Sequence, residues 1–142
     1  MILLDTNVIS EPLKPNGEPR VMAWIDAQAL ETLYLSAITV AELRSGIAAM
    51  PEGKRKVALH ARLEEQVLPV FGSRILPFDV ESSAAYAALL VRARAAGQGI
   101  GMADAYIAAI AATRGLTVAT RDTAPFIAAG VPVINPWEPG NG

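Results

Sequence analysis

The sequence predicts a single α/β domain, a parallel sheet of about five strands with helices on both faces. Three observations carry this prediction. Short apolar runs alternate along the chain with longer stretches of helical period. The apolar runs are continuous rather than interleaved with polar residues, as in strands buried on both sides. At 142 residues and 52% hydrophobic content, the chain is long enough for one real core and too short for two comfortable ones.

Ile2, Leu3 and Leu4 form the first strand. A short helix follows from about Thr6 to Ser10, interrupted by Pro12 and Pro15. A second helix starts near Pro19, a favoured first-turn residue, and carries Val21, Trp24 and Ile25 at helical spacing. Thr32 to Ser36 is rich in β formers, and Ser36 can cap the helix running through Ile38 to about Ala49. Pro51 and Gly53 separate that helix from one over residues 54–71, which opens on Lys54, Arg55 and Lys56 and whose end is marked by Pro69. Arg74 to Phe78 supplies a third strand. Tyr86, Leu89, Leu90 and Ala93 then trace the stripe of a helix closed by Gly97. A further helix runs from about Met102 to Arg114, with Tyr106, Ile107 and Ile110 inward and Gly115 as its stop. Leu116 to Thr120 and Val131 to Ile134 make the fourth and fifth strands. The residues from about 137 to 142, rich in Pro and Gly, are expected to form a flexible tail.

Composition narrows the chemistry. Zero cysteines exclude a disulfide framework, a thiolate nucleophile and a thiolate zinc site, and the single histidine, His60, leaves little room for imidazole catalysis. Carboxylates remain. The net charge of −2 argues against a dedicated DNA-binding domain while allowing a local basic rim. No apolar run approaches the ~20 residues of a membrane helix, and the N-terminus has neither the charged start nor the cleavage site of a signal peptide. A cytoplasmic location is therefore expected.

Four acids stand where an open parallel sheet binds its ligands, outside the carboxyl ends of the strands. Each has an ordinary explanation taken singly. Asp5 and Asp122 each follow a strand and precede a short helix, where an aspartate serves as an N-cap. Asp104 lies in a first helical turn, where the helix dipole favours a negative charge. Glu42 flanks the apolar stripe of its helix, the place of a solvated residue. Jointly they are harder to dismiss, because three of the five aspartates in the chain fall at a strand end or early helical turn on the ligand edge. Clustered carboxylates repel one another unless a cation neutralises them, so an all-oxygen pocket without Cys or His suits Mg²⁺ or Mn²⁺.

The stretches MILLDTNVISE, LSAITVAELRSGIA, MADAYIAAIAATRGLTVATRD and VPVINPWE, in this order and spacing, resemble the PIN-domain ribonucleases over essentially the whole chain. Within them the likeness is to the VapC-type toxins of bacterial toxin–antitoxin pairs, especially the FitB-like branch. The resemblance implies one PIN domain over residues 1–142, a three-layer α/β/α fold with strand order 3-2-1-4-5. Asp5 and Asp122 would then flank the topological switch point. It also implies a catalytic, metal-binding quartet of Asp5, Glu42, Asp104 and Asp122, with Thr6 and Thr120 orienting carboxylates from behind. The implied reaction is hydrolysis of phosphodiester bonds in single-stranded or looped RNA, such as tRNA or rRNA, by water activated with Mg²⁺ or Mn²⁺, leaving a 5′-phosphate and a 3′-hydroxyl. The implied partners are a second copy of the chain in a homodimer and a cognate antitoxin, which alone contacts operator DNA.

Arg44, next to Glu42 on its helix, and Arg121, beside Asp122, are the nearest candidates for RNA phosphate contacts. The block Lys54 to Lys56 reads more simply as a solvated face, and Trp24 and Trp137 as packing residues. Particular residues disfavour the rival readings; a phosphatase with an aspartyl nucleophile, for one, needs a second acid where Asn7 stands. A receiver-type signalling domain would use Asp79 after the third strand, but needs paired acids after the first strand, where Asp5 is followed by Thr6 and Asn7, and a lysine where Asn135 stands. A PIN-like module that binds RNA or a partner without cutting is disfavoured by the complete quartet, whose repulsion would otherwise cost stability.

Overall fold

A computed structural model describes residues 1–139. Its parallel sheet comprises β1 (Ile2–Leu4), β2 (Leu33–Ser36), β3 (Ile75–Leu76), β4 (Thr117–Ala119) and β5 (Val133–Ile134), in the order β3-β2-β1-β4-β5. This is the expected strand order. It also separates the chain from receiver-type folds, whose order is 2-1-3-4-5.

Register divides the core in two. Leu3 pairs with Tyr34 and Val118, and Val118 with Val133. These side chains face a layer formed by α6 (Val80–Ala95), α7 (Met102–Arg114) and α8 (Thr123–Ala128), which contributes Leu89, Ile107, Ile110 and Phe126. One residue on, Leu4, Ala119 and Ile134 face the other side, because successive strand residues point to opposite faces. There they meet α1 (Thr6–Ile9), α2 (Pro19–Ala27), α3 (Ala37–Ala48), α4 (Lys54–Ala61) and α5 (Leu68–Phe71), through Val8, Val21, Trp24, Leu43 and Leu59. Phe126 is 0% exposed on the short helix α8. Phe126→Ala is expected to destabilise the fold by about 3–5 kcal/mol, read from urea unfolding.

Local chemistry explains the departures from the sequence-based expectations. Pro12 does not simply break the first helix, because it sits in a 3₁₀ turn, Glu11–Leu13, whose first positions need no amide donor. The second strand starts at Leu33 rather than Thr32, since Leu30–Thr32 is also a 3₁₀ turn. Pro69 does not end its helix. The chain widens into a π-helical segment, Arg62–Val67, and α5 continues to Phe71 with Pro69 in its first turn. A proline ring inside a regular α-helix meets the carbonyl four residues back, and the wider turn ahead of Pro69 relieves that contact. Gly115, at φ 66, ends α7 in the left-handed conformation expected of a stop.

The expected flexible tail lies partly outside the described residues, at 140–142. Trp137, at its start, is tied down. Its carbonyl accepts a 2.7 Å hydrogen bond from Arg20, its ring packs on the second core, and the Arg121 guanidinium lies 5.2 Å from the ring centroid. Among the described residues no helix is long and apolar enough to cross a membrane.

Candidate active site

Asp5 ends β1 and is only 4% exposed. It does cap α1, but through the adjacent amide: Oδ1 accepts from the Thr6 N–H at 2.8 Å. Oδ2 accepts from the Thr120 hydroxyl at 2.8 Å, which joins the ends of the neighbouring strands β1 and β4. Thr120 also accepts from the Asp122 amide at 3.1 Å, fixing the turn that presents Asp122. The Asp122 carboxylate makes no capping bond to α8. Its capping explanation therefore fails, and the charge is left facing the site.

Thr6 works in a second direction. Its hydroxyl donates to Glu42 Oε1 at 2.6 Å, drawing an exposed glutamate on α3 toward the end of β1. Asp104, in the first turn of α7, completes the group from the opposite helical layer. Its carboxyl is pushed up to about 6 by burial, then by the charges of Asp5, Asp122 and Glu42. The Asp5 carboxyl is also raised, chiefly by burial, with Glu42 and Asp122 adding to the shift and the bonds from Thr120 and Thr6 opposing it. The four acids named from the sequence stand on four different elements, and Asp5 and Asp104 feel the charges of Glu42 and Asp122.

Among the described residues, no three of these carboxylates stand in ready-made ligand geometry around one point. Asp5 and Glu42 are each engaged by a hydroxyl, of Thr120 and Thr6, while Glu42 and Asp122 are exposed. Each engaged oxygen of Asp5 keeps a further lone pair. An all-oxygen anionic donor set of this kind suits a hard divalent cation.

A PIN-domain family model matches residues 2–131. The chain belongs to the PIN-domain family. Within this PIN family its likeness is to the VapC and FitB group. It is 60% identical over 139 residues to the VapC ribonuclease Y4jK of Sinorhizobium fredii, covering 98% of this chain and 99% of that one. It is 58% identical over 137 residues to toxin FitB of Neisseria gonorrhoeae, covering 96% and 99%. The crystal structure of FitAcB from Neisseria gonorrhoeae superposes with a TM-score of 0.94 at 58% identity, covering 97% of this chain and 99% of that one.

Other candidates in this PIN domain take different places. Arg44 forms a two-bond ion pair with Glu64, with Nε–Oε2 3.0 Å and Nη2–Oε1 2.7 Å, and lines a groove between α3 and α4 with His60. Arg121 stays beside the acids, its amide donating to Asn7 Oδ1 at 3.3 Å while its guanidinium covers Trp137. Lys56 pairs with Glu52 at 2.6 Å, and Trp24 lies in the core. Asp79 caps α6, accepting from the Ser82 N–H at 2.9 Å and its hydroxyl at 2.8 Å, and stands after the edge strand β3.

Sequence reasoning missed three residues that shape the site. Asn7 links to Thr120 at 3.4 Å and to the Arg121 amide, bridging β1 and β4 from behind. Glu11 is buried, accepting from Lys14 Nζ and from the Glu18 amide, both at 3.1 Å, and so closes the loop before α2. Thr39, fully buried on α3, reaches Thr6. Its only signal was a hydroxyl on the inward side of an otherwise apolar stripe.

Proposed function

We infer that this PIN domain is a divalent-metal-dependent endoribonuclease that acts as the toxin of a toxin–antitoxin pair. The observation that carries the reading is the electrostatic convergence of Asp5, Glu42, Asp104 and Asp122 at the β1/β4 switch point, without a positive group among them. Isolated caps and solvated acids do not raise the proton affinity of two neighbouring carboxyls, as happens at Asp5 and Asp104.

In this reading Asp5 and Asp104 hold Mg²⁺ or Mn²⁺ with Glu42 and Asp122, while Thr6 and Thr120 keep the buried carboxylate aimed outward. When bound there, the ion would supply positive charge for hydrolysis of a phosphodiester by water. Glu42 and Asp122, the exposed acids, would take the proton of an attacking water. Arg121, at the rim, is the better phosphate contact, since Arg44 already has a carboxylate partner. A cognate antitoxin that covers the site, and a homodimer in solution, belong to the same proposal. FitB is a toxin and Y4jK a VapC ribonuclease, and both match nearly the full chain.

The test is incubation of purified protein with mixed cellular RNA. Discrete cleavage is expected with Mg²⁺ or Mn²⁺, lost on adding EDTA and restored by excess metal. Cleavage that persists in EDTA, or that persists in Asp5→Ala, would overturn the metal mechanism. A small neighbouring reading frame with a DNA-binding N-terminus is expected beside the gene.

A further inference from the structure

The site contains a line of three hydroxyls, those of Ser36 and Thr39 buried and that of Thr6 half-buried, that ends on Glu42. Thr39 is 0% exposed, as is Ser36, the residue that caps α3. Ser36 Oγ lies 3.2 Å from Thr39 Oγ1, Thr39 Oγ1 lies 3.1 Å from Thr6 Oγ1, and Thr6 Oγ1 lies 2.6 Å from Glu42 Oε1.

Counting protons fixes the direction of this line. Each hydroxyl carries one proton. The short Thr6–Glu42 contact takes the Thr6 proton, because an ionised carboxylate only accepts. Thr6 can then only accept from Thr39, and Thr39 only accept from Ser36. Ser36 Oγ in turn accepts from the Thr39 backbone N–H at 3.0 Å, which anchors the far end to the first turn of α3. Every donor points toward Glu42, so each bond polarises the next. A buried hydroxyl without partners would be costly, and valine would fill the Thr39 site with the same shape, so packing alone does not call for threonine.

We propose that Thr39 is a positioning residue: with Ser36 it forms a one-way hydroxyl chain through Thr6 that holds the Glu42 carboxylate over the end of β1. Thr39 touches neither RNA nor ion. It acts by leaving Thr6 a single rotamer, in which the hydroxyl faces Glu42 while the Thr6 amide stays on Asp5. Thr6 thereby touches two of the four acids, Asp5 through its backbone amide and Glu42 through its hydroxyl. The metal-binding part of this inference rests on the function proposed above; the hydroxyl chain itself does not.

The test compares Thr39→Val, which keeps shape and loses the hydroxyl, with Thr39→Ser, which keeps the hydroxyl. In metal-free protein, the Thr6 χ1 rotamer is read from three-bond methyl couplings. One rotamer is expected in wild type and Thr39→Ser, and an average of several in Thr39→Val. Mn²⁺ binding, followed by the paramagnetic resonance of the free ion, is expected to weaken about 10-fold in Thr39→Val, with Thr39→Ser restoring most of the affinity. Should Thr39→Val fold poorly, Ser36→Ala interrupts the chain one hydroxyl further back and is expected to shift the same two readouts in the same direction. An unchanged Thr6 rotamer in Thr39→Val overturns the chain. An averaged rotamer with unchanged Mn²⁺ affinity overturns the positioning role. Wild-type protein that binds no Mn²⁺ overturns the metal reading instead, and the two failures are distinguishable because the rotamer is measured without metal.

Discussion

Asp104→Asn is expected to reduce RNA cleavage by about 10²–10³-fold or more and, in the same protein, to increase metal-free stability at pH 7. The two effects share one cause. Asp104 is held beside Asp5, Asp122 and Glu42 and partly removed from water, so its carboxyl is raised from 3.8 to about 6. A carboxyl that binds its proton more tightly in the folded chain than in the unfolded one stabilises the fold fully below the unfolded pKa, and that contribution is lost as pH rises through the folded value. The window therefore runs from about pH 4 to about pH 6, and by pH 7 the ionised group opposes folding. Asparagine keeps the shape without the charge, and the gain is expected to be on the order of 1–3 kcal/mol, toward the lower end because the group is only partly buried. Urea unfolding of both proteins at pH 5 and pH 7 checks this. The difference between them should be largest at pH 7, about half as large at pH 5, and nearly absent only below about pH 4. A variant that loses both activity and stability at pH 7 would mean that Asp104 is a structural acid.

Mn²⁺ or Mg²⁺ is expected to relieve the same repulsion. Metal at 100 times its dissociation constant should stabilise the wild-type fold by about 2.7 kcal/mol, provided that the unfolded chain binds none. The increment should shrink as pH falls below about 6, because protons and metal compete for Asp104 and for the likewise raised Asp5. Thermal unfolding with metal and with EDTA, across pH 5 to 8, measures it. In Asp104→Asn the increment should largely vanish, whereas in Phe126→Ala, which weakens the core on the other side of α7 from the solvent, it should persist. An increment independent of pH and unaffected by Asp104→Asn would place the ion elsewhere on the molecule.

The acids were legible in the sequence because each follows a strong local signal. Leu3 and Leu4 lead directly to Asp5, Val118 and Ala119 lead to Asp122 by way of Thr120, and the glycines before Met102 announce the helix that carries Asp104. What was illegible depended on distance through space. Pro69 read as a helix end because sequence rules assume a regular α-helix, and the π-helical segment before it is a tertiary accommodation. Arg44 read as a free cation because Glu64, 20 residues away, reaches it only once α3 and the following helix are folded against each other. The start of the expected tail was misjudged in a similar way: Trp137 is followed by Pro and Gly, yet Arg20 and Arg121 hold it to the domain.

By itself, the sequence determined the α/β class and the order of the elements, and it singled out Asp5, Glu42, Asp104 and Asp122 as the acids of the proposed site. Those follow from residue type and short-range pattern, since burial, helical period and capping act over a few residues. Only the tertiary structure decided that Asp122 is not spent as a cap, that Thr6 serves Asp5 with its amide and Glu42 with its hydroxyl, and that Thr39 stands behind both. These are contacts between β1, α3 and β4, elements up to 115 residues apart in the chain. Hydrogen bonds of about 3 Å and the mutual repulsion of charges depend on the distances that packing sets, and no local pattern in a chain encodes those distances.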